Sequence, residues 1–273
     1  EDRYYLVGAR VIVPFKDRIL FIGPVIQTSA VGSQQYLQDV IIYSQNGNPY
    51  YTASFDGSNV DNILKATTTF YPLLTPTAST STQNLGATPT AFFEDVTGYG
   101  GFIQAGFNEP LLTAVRNQDV LILGFETTKS KLIYTGNDIV PFNFYFIDSE
   151  FGDSSTFAAI QLDRGVVSKG TYGYIMSTQS DSNRVDLQIP DEVFETKLDS
   201  NGQERMIAQR DYINEWIYFS YPTNLFLSRF PTQTLQYNYR EQSWSTFRET
   251  YTAYGNYRQR TGFTWNTIGD VFP

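Results

Sequence analysis

The sequence predicts an all-β fold, a β-propeller of four-stranded antiparallel blades. Three observations point there. From Met206 to Arg248 run four short segments rich in β-branched and aromatic residues, with turn chemistry between them. The same four-beat pattern recurs upstream, each time opening on a similar hairpin. First strands begin at 10, 111, 157 and 206, spacings of 101, 46 and 49 residues. The last two spacings suit one blade of about 40–50 residues, and the first suits a blade plus an insertion.

In chain order, Asp2–Val7 already reads as strand, and residues 1–55 are expected to hold this preceding strand and the first blade. Its strands are placed at Arg10–Phe15, Arg18–Ile22, Asp39–Ser44 and Tyr50–Phe55. Asn46-Gly47 between apolar runs is a hairpin signal, and Pro49 can start a strand without losing a ladder bond. Residues 56–101 break the pattern. They are rich in Thr, Ser and Pro, carry no hairpin of the repeated type, and read as an insertion that contacts another molecule or lacks order, the alternative being a degenerate fifth blade with Phe70-Tyr71 and Phe92-Phe93 as strand remnants.

Residues 102–250 should hold three further blades. Leu111–Arg116, Asp119–Phe125, Ser130–Thr135 and Phe142–Asp148 form the first of these, with a turn at Tyr134–Asp138. Phe157–Asp163, Gly165–Lys169, Gly173–Thr178 and Arg184–Ile189 form the next. Met206–Asp211, Trp216–Phe219, Thr234–Tyr239 and Trp244–Arg248 form the last. In its third strand Leu235, Tyr237 and Tyr239 should point one way, and Gln236 and Asn238 the other. Trp216 is expected to anchor the core. Residues 251–273 read as the start of a further blade or a linker, and the whole as part of a longer polypeptide.

The 273 residues are 41% hydrophobic and 17% charged, the composition of a folded chain. With 20 Tyr and 21 Phe, the chain has the aromatic content that pleated surfaces and large interfaces use. No apolar run approaches the roughly 18 residues that span a bilayer. Zero cysteine removes disulfides and thiolate chemistry, and zero histidine removes the usual general base and most transition-metal sites. A net charge of −9 argues against gripping nucleic acid by phosphate neutralisation, though not against DNA sliding past.

Several constellations could carry chemistry. Asp148, Glu150 and Asp153 could serve a glycosidase, but nothing places a second carboxylate opposite them, and the stretch reads better as a solvated loop leaving an outer strand and continued by Ser154-Ser155. Asp181-Ser182-Asn183 with Asp186, and Asp199-Ser200-Asn201-Gly202, offer oxygen ligands without completing a calcium loop, and read better as turns. Arg240, Arg248, Arg258 and Arg260 interleave with Tyr239, Tyr251, Tyr254 and Tyr257, a composition shared by single-strand stacking platforms and protein interfaces. Gly98-Tyr99-Gly100-Gly101 lacks the third glycine of a phosphate loop. Ser44-Gln45-Asn46-Gly47 has part of a sialidase-type turn without its Asp. The residues therefore point to no catalytic, cofactor or metal site.

Particular stretches resemble blades of the propeller in tail hub and nozzle proteins of short-tailed bacteriophages. They are Asp17–Gly23 with Val40–Tyr50, Leu132–Asn137 with Pro141-Phe142, Leu162–Val166, and Asn214–Tyr218 with Leu235–Trp244. The resemblance covers most of 8–55 and 102–250. It implies a structural virion protein in a ring, often a hexamer, below the portal and adaptor, with tail fibres or other tail proteins as neighbours. Such a ring retains the genome and conducts it at ejection, with passing contact to phage DNA. The family has no catalytic residue to carry over. The competing expectations are a carbohydrate- or receptor-binding propeller and a carboxylate-dependent glycan-processing enzyme.

Overall fold

The computed structural model describes residues 5–27, 34–47, 100–189, 196, 204–224 and 228–255. Among them there is no helix, and the strands form four antiparallel sheets that follow one another along the chain. The expected all-β, propeller-like arrangement of antiparallel sheets is present, three of them four-stranded and the first five-stranded.

The first sheet holds β1 (Tyr5–Phe15), β2 (Arg18–Gln27), β3 (Gln34–Tyr36), β4 (Val40–Tyr43) and β5 (Gly101–Gln104). Strand β2 pairs with β1 on one side and with both β4 and the short β3 on the other. The β1–β2 hairpin closes through Lys16 and Asp17, whose φ values of 50° and 58° give the left-handed pair that matches strand twist. Asp2–Val7 and Arg10–Phe15, read as successive strands, are one strand with a bulge between Leu6 and Gly8 over the described residues. The expected strand at 50–55 lies outside the described residues. Gly101–Gln104 instead pairs with β4, so the first sheet draws an edge strand from beyond residues 44–100. This corrects the boundary at 102: residues 102–104 belong to the first sheet.

The second sheet contains β6 (Leu111–Asn117), β7 (Val120–Phe125), β8 (Lys129–Tyr134) and β9 (Phe142–Asp148), close to expectation. The third contains β10 (Ala159–Gln161), β11 (Val166–Gly170), β12 (Gly173–Ser177) and β13 (Ser182–Arg184). Here the fourth strand ends at Arg184, where the sequence pattern runs to Ile189. The buried Asp186 carboxylate accepts the Tyr174 amide at 3.0 Å and the Arg184 guanidinium at 2.9 Å, which turns the chain out of the ladder. The fourth sheet holds β14 (Ile207–Asp211), β15 (Trp216–Tyr221), β16 (Gln233–Asn238) and β17 (Ser243–Phe247).

Leading strands of consecutive sheets lie side by side, β1 by β6, β6 by β10 and β10 by β14. Between the sheets, side chains of facing strands interdigitate. Leu20, Ile22 and Ile41 meet Leu121, Leu123 and Phe125 between the first and second sheets. Alternate residues Val120 and Ile122 turn the other way, onto Val166 of the third. Strand β7 is thus buried on both faces, which explains its unbroken apolar run. Between the third and fourth sheets Val167 and Tyr174 pack with Ile217, Phe219, Leu235 and Tyr237, the face assigned by period-two alternation.

Polar clasps tie the leading hairpins together. Lys16 Nζ donates to Asp119 at 2.9 Å, Gln118 Nε2 to the Asp163 carbonyl at 3.4 Å, and Arg210 Nη2 to the Asp163 carboxylate at 3.2 Å. Within the stack, Lys129 of β8 donates at 2.5 Å to Asp153 and at 2.8 Å to Ser168 of β11, and Thr113 of β6 donates to the other Asp153 oxygen. Gly124 makes room for this network. A Cβ there would sit on the Asp153 carboxylate and Thr113 hydroxyl.

Candidate functional site

The structure takes apart the acidic trio. Asp148 Oδ1 accepts the amides of Glu150 at 2.6 Å and Phe151 at 3.2 Å, which makes it a turn residue. Glu150 is exposed. Asp153 has no exposed surface and is ion-paired to Lys129, so its location in a solvated loop was a wrong expectation. Its backbone N–H donates to the Phe125 carbonyl at 2.7 Å, which draws the 149–155 loop under the second sheet.

The oxygen-rich turns behave as turns. Asp181 accepts from Thr178 and Asn183, while Asp186 is buried against Arg184, so the two carboxylates serve different bonds. Among the described residues no group of three or more potential metal ligands assembles. Residues 199–202 lie outside the described residues, as do Gly98, Tyr99, Tyr257, Arg258 and Arg260. Gly101 opens β5, where a Cβ would strike the Tyr43 ring. The arginine–tyrosine set divides. Arg240 reaches Glu215 at 3.3 Å, and the Tyr239 hydroxyl accepts Arg210 at 3.1 Å on the core side. Tyr251 and Tyr254 lie over the opposite face.

That opposite face of the fourth sheet is what the sequence reading missed. Alternation along β15 and β16 sends Ile217, Phe219, Leu235 and Tyr237 to the core and Trp216, Tyr218 and Gln236 outward. After β17 the chain recrosses this face. Thr234 Oγ1 donates to the Glu249 carbonyl at 2.6 Å, and the Tyr254 and Ser220 hydroxyls are 2.6 Å apart. The result is a cleft of about 890 Å³ walled by Trp216, Tyr218, Phe247, Tyr251 and Tyr254. Trp216 and Tyr218 meet edge to face with centroids 6.2 Å apart, and Tyr251 and Tyr254 tilt together at 5.4 Å. Trp216 is therefore a half-buried cleft wall and not the expected core anchor.

The charges around the cleft are engaged. Asp211 accepts the Asn214 side chain at 2.7 Å and the Ile213 amide at 2.9 Å, and these bonds hold its carboxyl below the ordinary range. Arg210 is tied to Asp163 and Tyr239 and lies 4.5 Å from the Tyr212 ring centre. Glu249 accepts the Tyr251 hydroxyl at 3.2 Å. Burial raises the phenols of Tyr218 and Tyr254, keeping both neutral donors at physiological pH.

Away from the cleft, Lys169 of β11 has no exposed surface. Its ammonium donates to the Gly170 carbonyl at 2.7 Å and lies 5.4 Å from the Tyr174 ring centre. Burial lowers its pKa from 10.5 to about 8, opposed by Asp186 and reinforced by Arg184. Between those values the unfolded chain holds a proton that the folded chain lacks, so this group makes stability rise with pH. Urea melts between pH 8 and 9.5 should show a gain approaching about 1.4 kcal/mol per unit from this residue, absent in Lys169→Met. The buried phenols of Tyr237 and Tyr254 act in the opposite sense only as pH nears their ordinary 10. A flat difference between the two proteins over that window would contradict the assignment.

No protein-family profile matches this chain, and no curated protein matches it. Among solved structures, one titled Kluyveromyces lactis Hsv2 complete loop 6CD is similar at 9% sequence identity and a TM-score of 0.30. That alignment covers 89% of this chain and 73% of the other, a likeness too slight to carry an argument.

Proposed function

We propose that this chain is a structural component of a bacteriophage tail, part of a hub or nozzle ring that retains the packaged genome and conducts it at ejection. The observation that carries the reading is where its charges are used. Lys16–Asp119 and Asp163–Arg210 each join successive sheets through their hairpins, and Lys129, paired with Asp153 of the connecting loop, also donates to Ser168 of the third sheet, so these charged groups stiffen a stack. A channel wall that withstands genome pressure calls for such a rigid array, and the blade-like segments named above resemble those of this protein class. The net charge of −9 discourages DNA from adhering as it passes. In the ring, neighbouring copies, a portal or adaptor, and fibres would cover exposed aromatic surface.

The test separates scaffold from catalyst. Replacing Asp148 by Asn and Glu150 by Gln together should leave particle infectivity unchanged, because neither side chain joins two sheets. Asp153 is excluded from that variant because its loss should unfold the stack. Loss of infectivity with normally assembled tails would overturn the structural reading.

A further inference from the structure

We infer that the outer cleft of the fourth sheet is a binding site for a neutral saccharide, a function beyond the tail role and independent of it. The cleft's volume of about 890 Å³ falls within the roughly 300–1,000 Å³ typical of sites for small ligands. Its walls are ring faces and edges at several tilts, with Trp216 and Tyr218 nearly perpendicular at 89°. A pyranose presents a C–H face that packs on an aromatic ring and a rim of hydroxyls that exchange hydrogen bonds. Both needs are met by the aromatic walls together with the Gln236 amide and the Tyr218 hydroxyl.

Charge selects against other ligands. A single-stranded nucleic acid needs cations along its backbone as well as stacking rings. Arg210 is already committed to Asp163 and Tyr239, while the Asp211 and Glu249 carboxylates would repel phosphate. A purely apolar ligand would strand the polar groups along the cleft. An uncharged polyhydroxylated ligand strands neither rings nor amides.

The experiment is titration of the intact chain with maltohexaose, cellohexaose and chitohexaose, followed by tryptophan fluorescence and calorimetry, with heparin and oligothymidylate as anionic comparisons. At least one neutral hexaose should bind with a Kd below about 1 mM. Tyr218→Ala and Tyr251→Ala should each weaken it roughly tenfold or more while the melting transition is retained. Tyr251 is 46% exposed, so its truncation reads out the cleft and not the fold. The inference is overturned if no neutral hexaose binds at up to about 10 mM, or if binding ignores both substitutions. Tighter, cleft-dependent binding of heparin or oligothymidylate would overturn it equally. None of these outcomes bears on whether the chain sits in a tail.

Discussion

Asp153→Asn should destabilise the folded chain by about 3–5 kcal/mol, because it leaves the Lys129 ammonium buried without its counter-charge. Lys129 and Asp153 are 1% and 0% exposed, and the pair is 2.5 Å long. Water cannot take over from the lost carboxylate there, and the Ser168 hydroxyl alone is too little to solvate an ammonium. Such a loss is a large fraction of the roughly 5–15 kcal/mol that keeps a domain folded. Lys129→Met should be comparably damaging through the stranded carboxylate. Replacing both residues with apolar ones should recover much of the loss, since desolvating the pair costs nearly what its attraction returns. Gly124→Ala probes the same network sterically, by driving a methyl group into Asp153. Urea denaturation of the four variants measures the effects. A cost under about 1 kcal/mol for Asp153→Asn would mean that the pair is not sealed from solvent.

Phe219→Ala should cost about 3–5 kcal/mol, and Trp216→Ala markedly less, although the two lie three residues apart in one strand. Phe219 is fully buried between the third and fourth sheets, with its ring 4.7 Å from Tyr174. Its removal leaves a cavity that two hydrogen-bonded sheets cannot close. Trp216 faces outward into the cleft, where water fills the space left by its indole. Thermal melts of the two variants should separate clearly. Equal losses would show that the outer face is covered in the folded protein.

The contrast between these neighbours also marks how far the sequence could be read. Period-two alternation told which residues of β16 share a face, and the repeated hairpin located the leading strands. It could not tell that no sheet among the described residues covers the Trp216 face, since a strand side against water and one against another sheet can both carry aromatics. Gly101–Gln104 was misplaced for a topological reason. A short edge strand far along the chain from its partner carries no local sign of which sheet it joins. Asp153 was misread because Glu150, Gly152, Ser154 and Ser155 give its loop a solvated composition. Its burial depends on close approach at Gly152, where a Cβ would collide with the Glu126 backbone. Asp186 ended β13 early in the same way, through a tertiary hydrogen bond to Tyr174 that no local pattern announces.

The proposal that this chain is part of a tail hub or nozzle ring is tested most directly by electron cryomicroscopy of virions carrying the polypeptide. The account predicts copies of the stacked sheets arranged with rotational symmetry around the channel below the portal. Virions whose tails are complete without this chain, or copies found only away from the channel, would contradict it.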